Sequence, residues 1–191
     1  MARGKQRRRK DDCRAAGRTD QAEGVAGSLG AAPANGRKIE RVALASAATR
    51  ETVAVCCALC RDATGYALEL PGPGEGCLLA LFTATGHTDA ENTAPDPQIA
   101  GFAVLRWLGS GMHLAALAVH EAARRLGHGE ALVLQALCEA EDRGCTRASL
   151  HVREDNASAR ALYEKLGFDL ERRIGDYYDD GEPALRMTRV L

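Results

Sequence analysis

The chain predicts an α/β or α+β domain: a mixed central sheet flanked by helices, preceded by a basic tail. Two observations carry this. Short apolar runs of strand length alternate with longer segments of helical pattern, and no unit of 20–50 residues repeats along the chain. The second is a change in composition near residue 38. Residues 1–38 hold ten Lys or Arg against four Asp or Glu, while the rest hold fifteen against twenty-two, inside an overall charge of -1. The 191 residues therefore divide into a tail, 1–38, and one domain, 39–191.

The tail contains Arg3, Lys5, Arg7, Arg8, Arg9 and Lys10, followed by Ala, Gly and polar residues. So little apolar surface predicts disorder. Three roles stay open for it: a solvated leader, a nuclear-import or RNA-contacting arm, and an organellar transit peptide. Asp11, Asp12, Asp20 and Glu23 argue against the third, because such peptides are poor in acids. No apolar run approaches the roughly 18 residues of a membrane span, and no secretory apolar region is present.

The elements follow in order. Lys38 to Leu44 reads as a first strand, and the apolar stretch from Thr49 to Cys60 as a helix. Pro71-Gly72-Pro73-Gly74 forces a turn. Cys77 to Phe82 is a short apolar strand, and Gly86 to Pro97 a polar loop. Ile99 to Leu105 and Leu114 to Val119 read as strands, and Gly129 to Asp142 as a helix stopped by Gly144. Ala148 to Val152 is a strand, Asn156 to Leu166 a helix, and strands follow from Phe168 and over Pro183 to Val190.

The seven cysteines show no disulfide-framework spacing and read as reduced thiols. Cys57 and Cys60 form one CxxC with no second pair of ligands at a suitable spacing, so helix packing is the expectation and no metal is assigned.

One turn carries chemistry. The strand Leu114–Val119 leads to Arg124-Arg125-Leu126-Gly127-His128-Gly129 and then to a helix. Glycines two apart let the backbone approach a ligand closely. The first N–H groups of a helix have no internal partners and its dipole favours an anion there. Two arginines add charge. The turn lacks the Gly-Lys-Ser/Thr ending of a nucleoside-triphosphate loop and the GxGxxG spacing of a dinucleotide fold. Taken alone, an ordinary Gly-rich helix start fits it as well as a pyrophosphate site.

The residues further along narrow the choice. Leu150-His151-Val152-Arg153-Glu154-Asp155-Asn156, then Ala159, Ala161-Leu162-Tyr163, Gly167-Phe168, Tyr177-Tyr178-Asp179-Asp180-Gly181-Glu182 and Met187 come in the order found in one family. With Arg-x-x-Gly-x-Gly before them, residues 99–191 resemble the GNAT superfamily of acyl-CoA-dependent N-acyltransferases. Within it they resemble the branch that acetylates protein N-termini. The resemblance implies a GNAT-type mixed sheet, with acetyl-CoA as co-substrate and no metal. It also implies α-amino groups of nascent or completed proteins as acceptors. An auxiliary subunit or the ribosome is the implied partner, with a cytoplasmic, nuclear or organellar setting. Before residue 99 the resemblance is poor. Residues 61–76 hold the Gly/Pro turn where the family carries an aromatic and acidic substrate loop.

The resemblance assigns Arg124, Arg125, Leu126, Gly127, His128 and Gly129 to the CoA pyrophosphate. It places the backbone of Leu117 and Val119 at the acyl group, with N–H groups there as donors to the oxyanion. Asn156 is a helix N-cap and, by resemblance, a CoA contact. Tyr163 is the implied general acid for the departing thiolate, and otherwise a helix-packing Tyr. Tyr177 and Tyr178 correspond to a pair that holds the peptide backbone. Ala123 stands where some relatives carry a catalytic Tyr.

An amine attacks a thioester only when neutral. A free α-amino group, with a pKa of about 7.7–8.0, is neutral often enough near pH 7 to need only a modest base. A lysine amine at about 10.4 is neutral far less often. Histidine suits the task. His151 alternates with Leu150 and Val152 and so faces away from them. The resemblance puts it beside the acceptor slot as the base, with His113 second. A polar residue on an exposed strand face is the other reading of His151. His120 and His128, beside the turn, are expected to be solvated or near phosphate. Three functions stay open: N-terminal acetylation, acetylation of a lysine or small amine, and a non-catalytic acyl-CoA or partner-binding module.

Overall fold

In the computed structural model of the chain, the residues described are 37–42, 47–64, 67–72, 74–84 and 97–191. Residues 1–36, on which the tail assignment rests, and most of the expected loop from Gly86 to Pro97 lie outside them.

The elements are β1 (Arg37–Val42), α1 (Ala47–Thr64), β2 (Gly76–Ala84), β3 (Pro97–Leu108), β4 (Gly111–Val119), a 3-10 turn (Glu121–Ala123), α2 (His128–Asp142), β5 (Arg147–Arg153), α3 (Ala157–Lys165), β6 (Asp169–Ile174) and β7 (Ala184–Val190). Each predicted strand and helix is present. The sheet begins two residues earlier than the sequence boundary, because Arg37 already pairs with Thr83. α1 runs past Cys60 to Thr64.

The seven strands lie in the order β1-β2-β3-β4-β5-β7-β6. Among the described residues only β4 and β5 pair in parallel. These two are joined through α2, a crossover long enough to return the chain to the same end of the sheet. The turn expected at residues 71–74 forms: the Glu75 N–H donates to the Gly72 carbonyl at 3.0 Å, and Gly74 takes φ +80°.

Helices cover both faces, which is why β2 reads as a continuous apolar run rather than an alternation. On one face Cys56, Leu59 and Cys60 of α1 pack against Leu78, Phe102, Val104 and Ala118. Of the pair expected to serve packing, Cys60 is buried here and Cys57 is half-buried. On the other face Leu132, Val133, Ala136, Leu137 and Ala140 of α2 meet Leu79, Leu81, Ala103, Leu105 and Leu114. Their spacing is one stripe of a helix. Gly144 ends α2 as expected. At φ +74° its N–H donates to the Glu141 carbonyl, and the next N–H, Cys145, reaches back to Ala140 at 2.9 Å. No helix among the described residues is long and apolar enough to cross a membrane.

Candidate active site

The site starts with one surplus residue. Along β3 and β4 the register runs Val104 to Ala116 and then Leu105 to Leu114, leaving Ala115 unpaired on β4. A bulge bends its strand and shifts side-chain parity by one. Met112 and Leu114 therefore pack toward α2, whereas Ala116 and Ala118 pack toward α1. The bend also separates β4 from β5. Their pairing extends from Gly111–Arg147 to Leu114–Leu150 and no further. Beyond it the strands diverge around a cleft of about 850 Å³, lined by Ala115 to Ala118, by His113 and His151, and by Tyr163, Tyr177 and Tyr178, among others. The β4 backbone here has no strand partner on its β5 side.

One wall of the cleft is polar. Strand alternation turns Ser149, His151 and Arg153 to the side opposite Ala148, Leu150 and Val152, which are buried. The His151 and His113 rings meet edge-on with centroids 5.1 Å apart. His151 Nδ1 lies 3.1 Å from the Tyr177 hydroxyl, and its Nε2 is buried without a hydrogen-bond partner among the described residues. His113 Nδ1 lies 3.1 Å from Ser149 Oγ. Burial, then His151, Arg186 and Arg106, push the His113 pKa down to about 4. Burial, Arg186 and Arg172 lower that of His151 as well. Both rings are thus neutral near pH 7. His151 does not stand on an open strand face; it sits inside a ring cluster.

Tyr177 and Tyr178 enter from the β6–β7 connection, with ring centroids 5.0 Å apart. Their position is fixed by ion pairing behind them. Arg153 holds Asp180 through two nitrogens, at 2.6 and 3.4 Å, and lies over the Tyr178 ring at 4.7 Å. Glu182 accepts the Asp155 N–H at 3.1 Å, tying the same loop to the end of β5.

Tyr163 closes the floor. It is 6% exposed and packs edge-on to Phe168, with centroids 5.9 Å apart. Burial raises its pKa well above that of an ordinary phenol, so it keeps its proton at any physiological pH. It lines the cleft and packs the core at once. Asn156 caps α3 as expected: its Oδ1 accepts the Ala159 N–H at 3.1 Å and the Ser158 hydroxyl at 3.1 Å.

The Arg-rich turn sits at the other end of β4. Arg124 folds back so that its Nε donates to the Val119 carbonyl at 3.2 Å. Arg125 takes φ +64° and Gly127 φ +78°. For Gly127, the N-cap of α2, that geometry has little steric cost, whereas Arg125 adopts it against the preference of a side-chain-bearing residue. The first backbone bond of α2 runs from the Ala131 N–H to the Gly127 carbonyl at 3.0 Å. The N–H groups before it are the ones a helix end leaves open. Leu126 is 61% exposed, so its place in the turn concerns backbone rather than side chain. Of the two readings of His128, solvated or near phosphate, the first is corrected: the ring is buried, with Nδ1 unpartnered among the described residues and its pKa lowered by burial and by Arg37. As the first residue of α2, it turns into the structure. His120 accepts the Ala122 N–H through Nδ1 at 3.3 Å and so caps the 3-10 turn.

Sequence reasoning missed Ser149, Asp180 and the pair Arg106–Glu69, at 3.2 Å, which also lines the cleft. Ser149 was legible: it lies two residues before His151 on the same strand, hence on the same face. Glu69 was not, since only tertiary structure brings residues 67–72 to the cleft. No cluster of His, Cys, Asp and Glu suited to a metal occurs among the described residues.

A mixed sheet split between its parallel strands β4 and β5, with a Gly-bearing helix start beside the split, defines the class. The family model for acetyltransferases of the GNAT family matches residues 73–168, and the chain belongs to that family. An N-alpha-acetyltransferase of Sulfurisphaera tokodaii is 43% identical over 81 residues, which are 41% of this chain and 48% of that protein. The chain thus spans about half the length of that relative. The solved ribosomal-protein-S18-alanine N-acetyltransferase of Escherichia coli has the same fold, with a TM-score of 0.63 at 24% identity, over 81% of this chain and 93% of that one. So does a chain of the NatC complex bound to Gag peptide and CoA, with a TM-score of 0.58 at 17% identity, over 81% and 98%.

Proposed function

We propose that the chain transfers the acetyl group of acetyl-CoA to the α-amino group of protein N-termini. The observation that carries this is the cleft itself. It begins where β4 runs on toward the Arg124–Gly129 turn and reaches the ring cluster of His113, His151, Tyr177 and Tyr178. Arg124, Arg125 and the open N–H groups of Gly127, His128 and Gly129 suit a pyrophosphate. Asn156 borders the same cleft. The Ala115–Val119 backbone, unpaired toward β5, suits a pantetheine chain, and N–H groups near Leu117 and Val119 suit the oxyanion.

In the reaction the amine nitrogen attacks the thioester carbonyl, a C–N bond forms and the C–S bond breaks. His151 takes the proton released from nitrogen, with His113 as the second base. Tyr163 supplies a proton to the departing sulfur. Tyr177 and Tyr178 hold the peptide backbone at the rim. Neutral imidazoles suit an α-amine, which needs only a modest base.

The setting follows from this reading: nascent or completed chains as acceptors, in the cytoplasm, at the ribosome or beside an auxiliary subunit. The Arg3–Lys10 run suits contact with RNA. The test is labelled acetyl-CoA offered with peptides whose N-termini are free or blocked. Labelling confined to free N-termini is the expected result. Equal labelling of blocked, lysine-containing peptides overturns the acceptor class. CoA binding without any labelling would make the chain a binding module.

A further inference from the structure

Ser149 contacts two groups at once. Its Oγ lies 3.1 Å from His113 Nδ1 and donates to the Met112 carbonyl at 3.4 Å. It is 8% exposed, on β5, directly opposite His113 in the last stretch where β4 and β5 still pair. A hydroxyl has one hydrogen to give. If that hydrogen goes to Nδ1, the contact with the Met112 carbonyl is lost. If it goes to the carbonyl, Oγ is left to accept, and a ring N–H at Nδ1 satisfies it. Only the second arrangement makes both contacts.

We infer that Ser149 is a positioning residue that holds His113 as the Nδ1–H tautomer, leaving the Nε2 lone pair as the proton-accepting edge of the ring. Burial first, then the neighbouring His151, Arg186 on β7 and Arg106 on β3, which pairs directly with His113, oppose an added proton and keep the ring neutral. Ser149, 8% exposed, is not among the residues that line the cleft. It acts through His113 by fixing ring orientation and the nitrogen that carries the hydrogen, the way a hydrogen bond at one imidazole nitrogen sets the role of the other.

The tautomer does not depend on the proposed reaction, whereas its use in catalysis rests on that reading, and the test separates the two. NMR of the full chain labelled with ¹³C and ¹⁵N in histidine distinguishes the ring tautomers. The His113 signal is expected as Nδ1–H in the unaltered protein and is expected to move toward Nε2–H in Ser149→Ala, with the His120 and His128 signals unmoved as the measure of intact folding. In acetyl transfer to a free N-terminal peptide, Ser149→Ala is expected to lower kcat about tenfold with KM for acetyl-CoA unchanged, and Ser149→Thr, which keeps the hydroxyl, to recover most of the loss. An Nε2–H signal in the unaltered protein overturns the inference. So does a Ser149→Ala protein whose His113 signal stays in place. An Nδ1–H signal in a protein that transfers no acetyl group upholds the positioning and overturns the transfer.

Discussion

His151 and Tyr177, 26 positions apart, meet through a 3.1 Å contact between Nδ1 and the phenolic oxygen. The contact joins the end of β5 to the loop that carries the candidate peptide clamp. It ties the proposed base to the proposed acceptor site. Tyr177→Phe keeps the ring and removes the hydroxyl. We expect about a tenfold fall in kcat/KM for peptide, while the Kd for CoA stays unchanged. Steady-state kinetics beside calorimetric CoA titration checks this, and a selective loss of CoA affinity would contradict it.

Arg125 pays a conformational cost at φ +64° that a glycine would not. Arg125→Gly should therefore raise stability by about 1 kcal/mol. The same change removes a cation from the turn, so CoA affinity should drop severalfold. A thermal melt and a CoA titration read the two effects, which move in opposite directions. A variant that is no more stable and binds CoA equally well removes Arg125 from the phosphate site.

Asn156 offers a second separation. Asn156→Ala removes the cap on α3 and is expected to cost about 1 kcal/mol in chemical denaturation. Asn156→Asp keeps a capping oxygen. It also adds a negative charge at the cleft wall, so it should preserve stability and weaken CoA binding.

The histidines set an acid limit. The His113 pKa is 6.5 in an unperturbed chain and about 4 when folded, so between these values the unfolded chain binds more protons than the folded one. Stability then rises with pH across that window. Conversely, as pH falls from 6.5 toward 4 the protein should lose on the order of 2 kcal/mol through His113, after allowance for its partial exposure. Below about 4 this contribution changes no further. His113→Gln should flatten the slope of a denaturation midpoint measured from pH 7 to 4.

Local pattern carried most of the architecture into view. Leu78–Leu81 read as a strand because it is apolar throughout, and the α2 stripe from Leu132 to Ala140 read as a helix from its spacing. Gly144 was legible as a stop because left-handed backbone favours glycine. His151, Tyr163 and Tyr177 were singled out through the resemblance, and the fold brings all three to one cleft. What escaped depends on residues distant in sequence. Nothing near His128 signals that β1 and its Arg37 come close enough to influence the ring. The partnership of Glu69 with Arg106 needs the whole of β2 and β3 folded between them. Ala115, in a run of small apolar residues, bears no mark of a bulge.

That unmarked alanine has a genetic corollary. The cleft depends on the number of residues between Leu114 and Ala116 rather than on what the middle one is. A side-chain scan at position 115 would pass over it almost silently, with Ser or Cys serving as well. Deleting the position would instead transpose every later side chain of β4, exchanging the Leu117 and Val119 side for the Ala116 and Ala118 side. The feature that opens the sheet is thus written in the length of the message, where substitution data cannot see it.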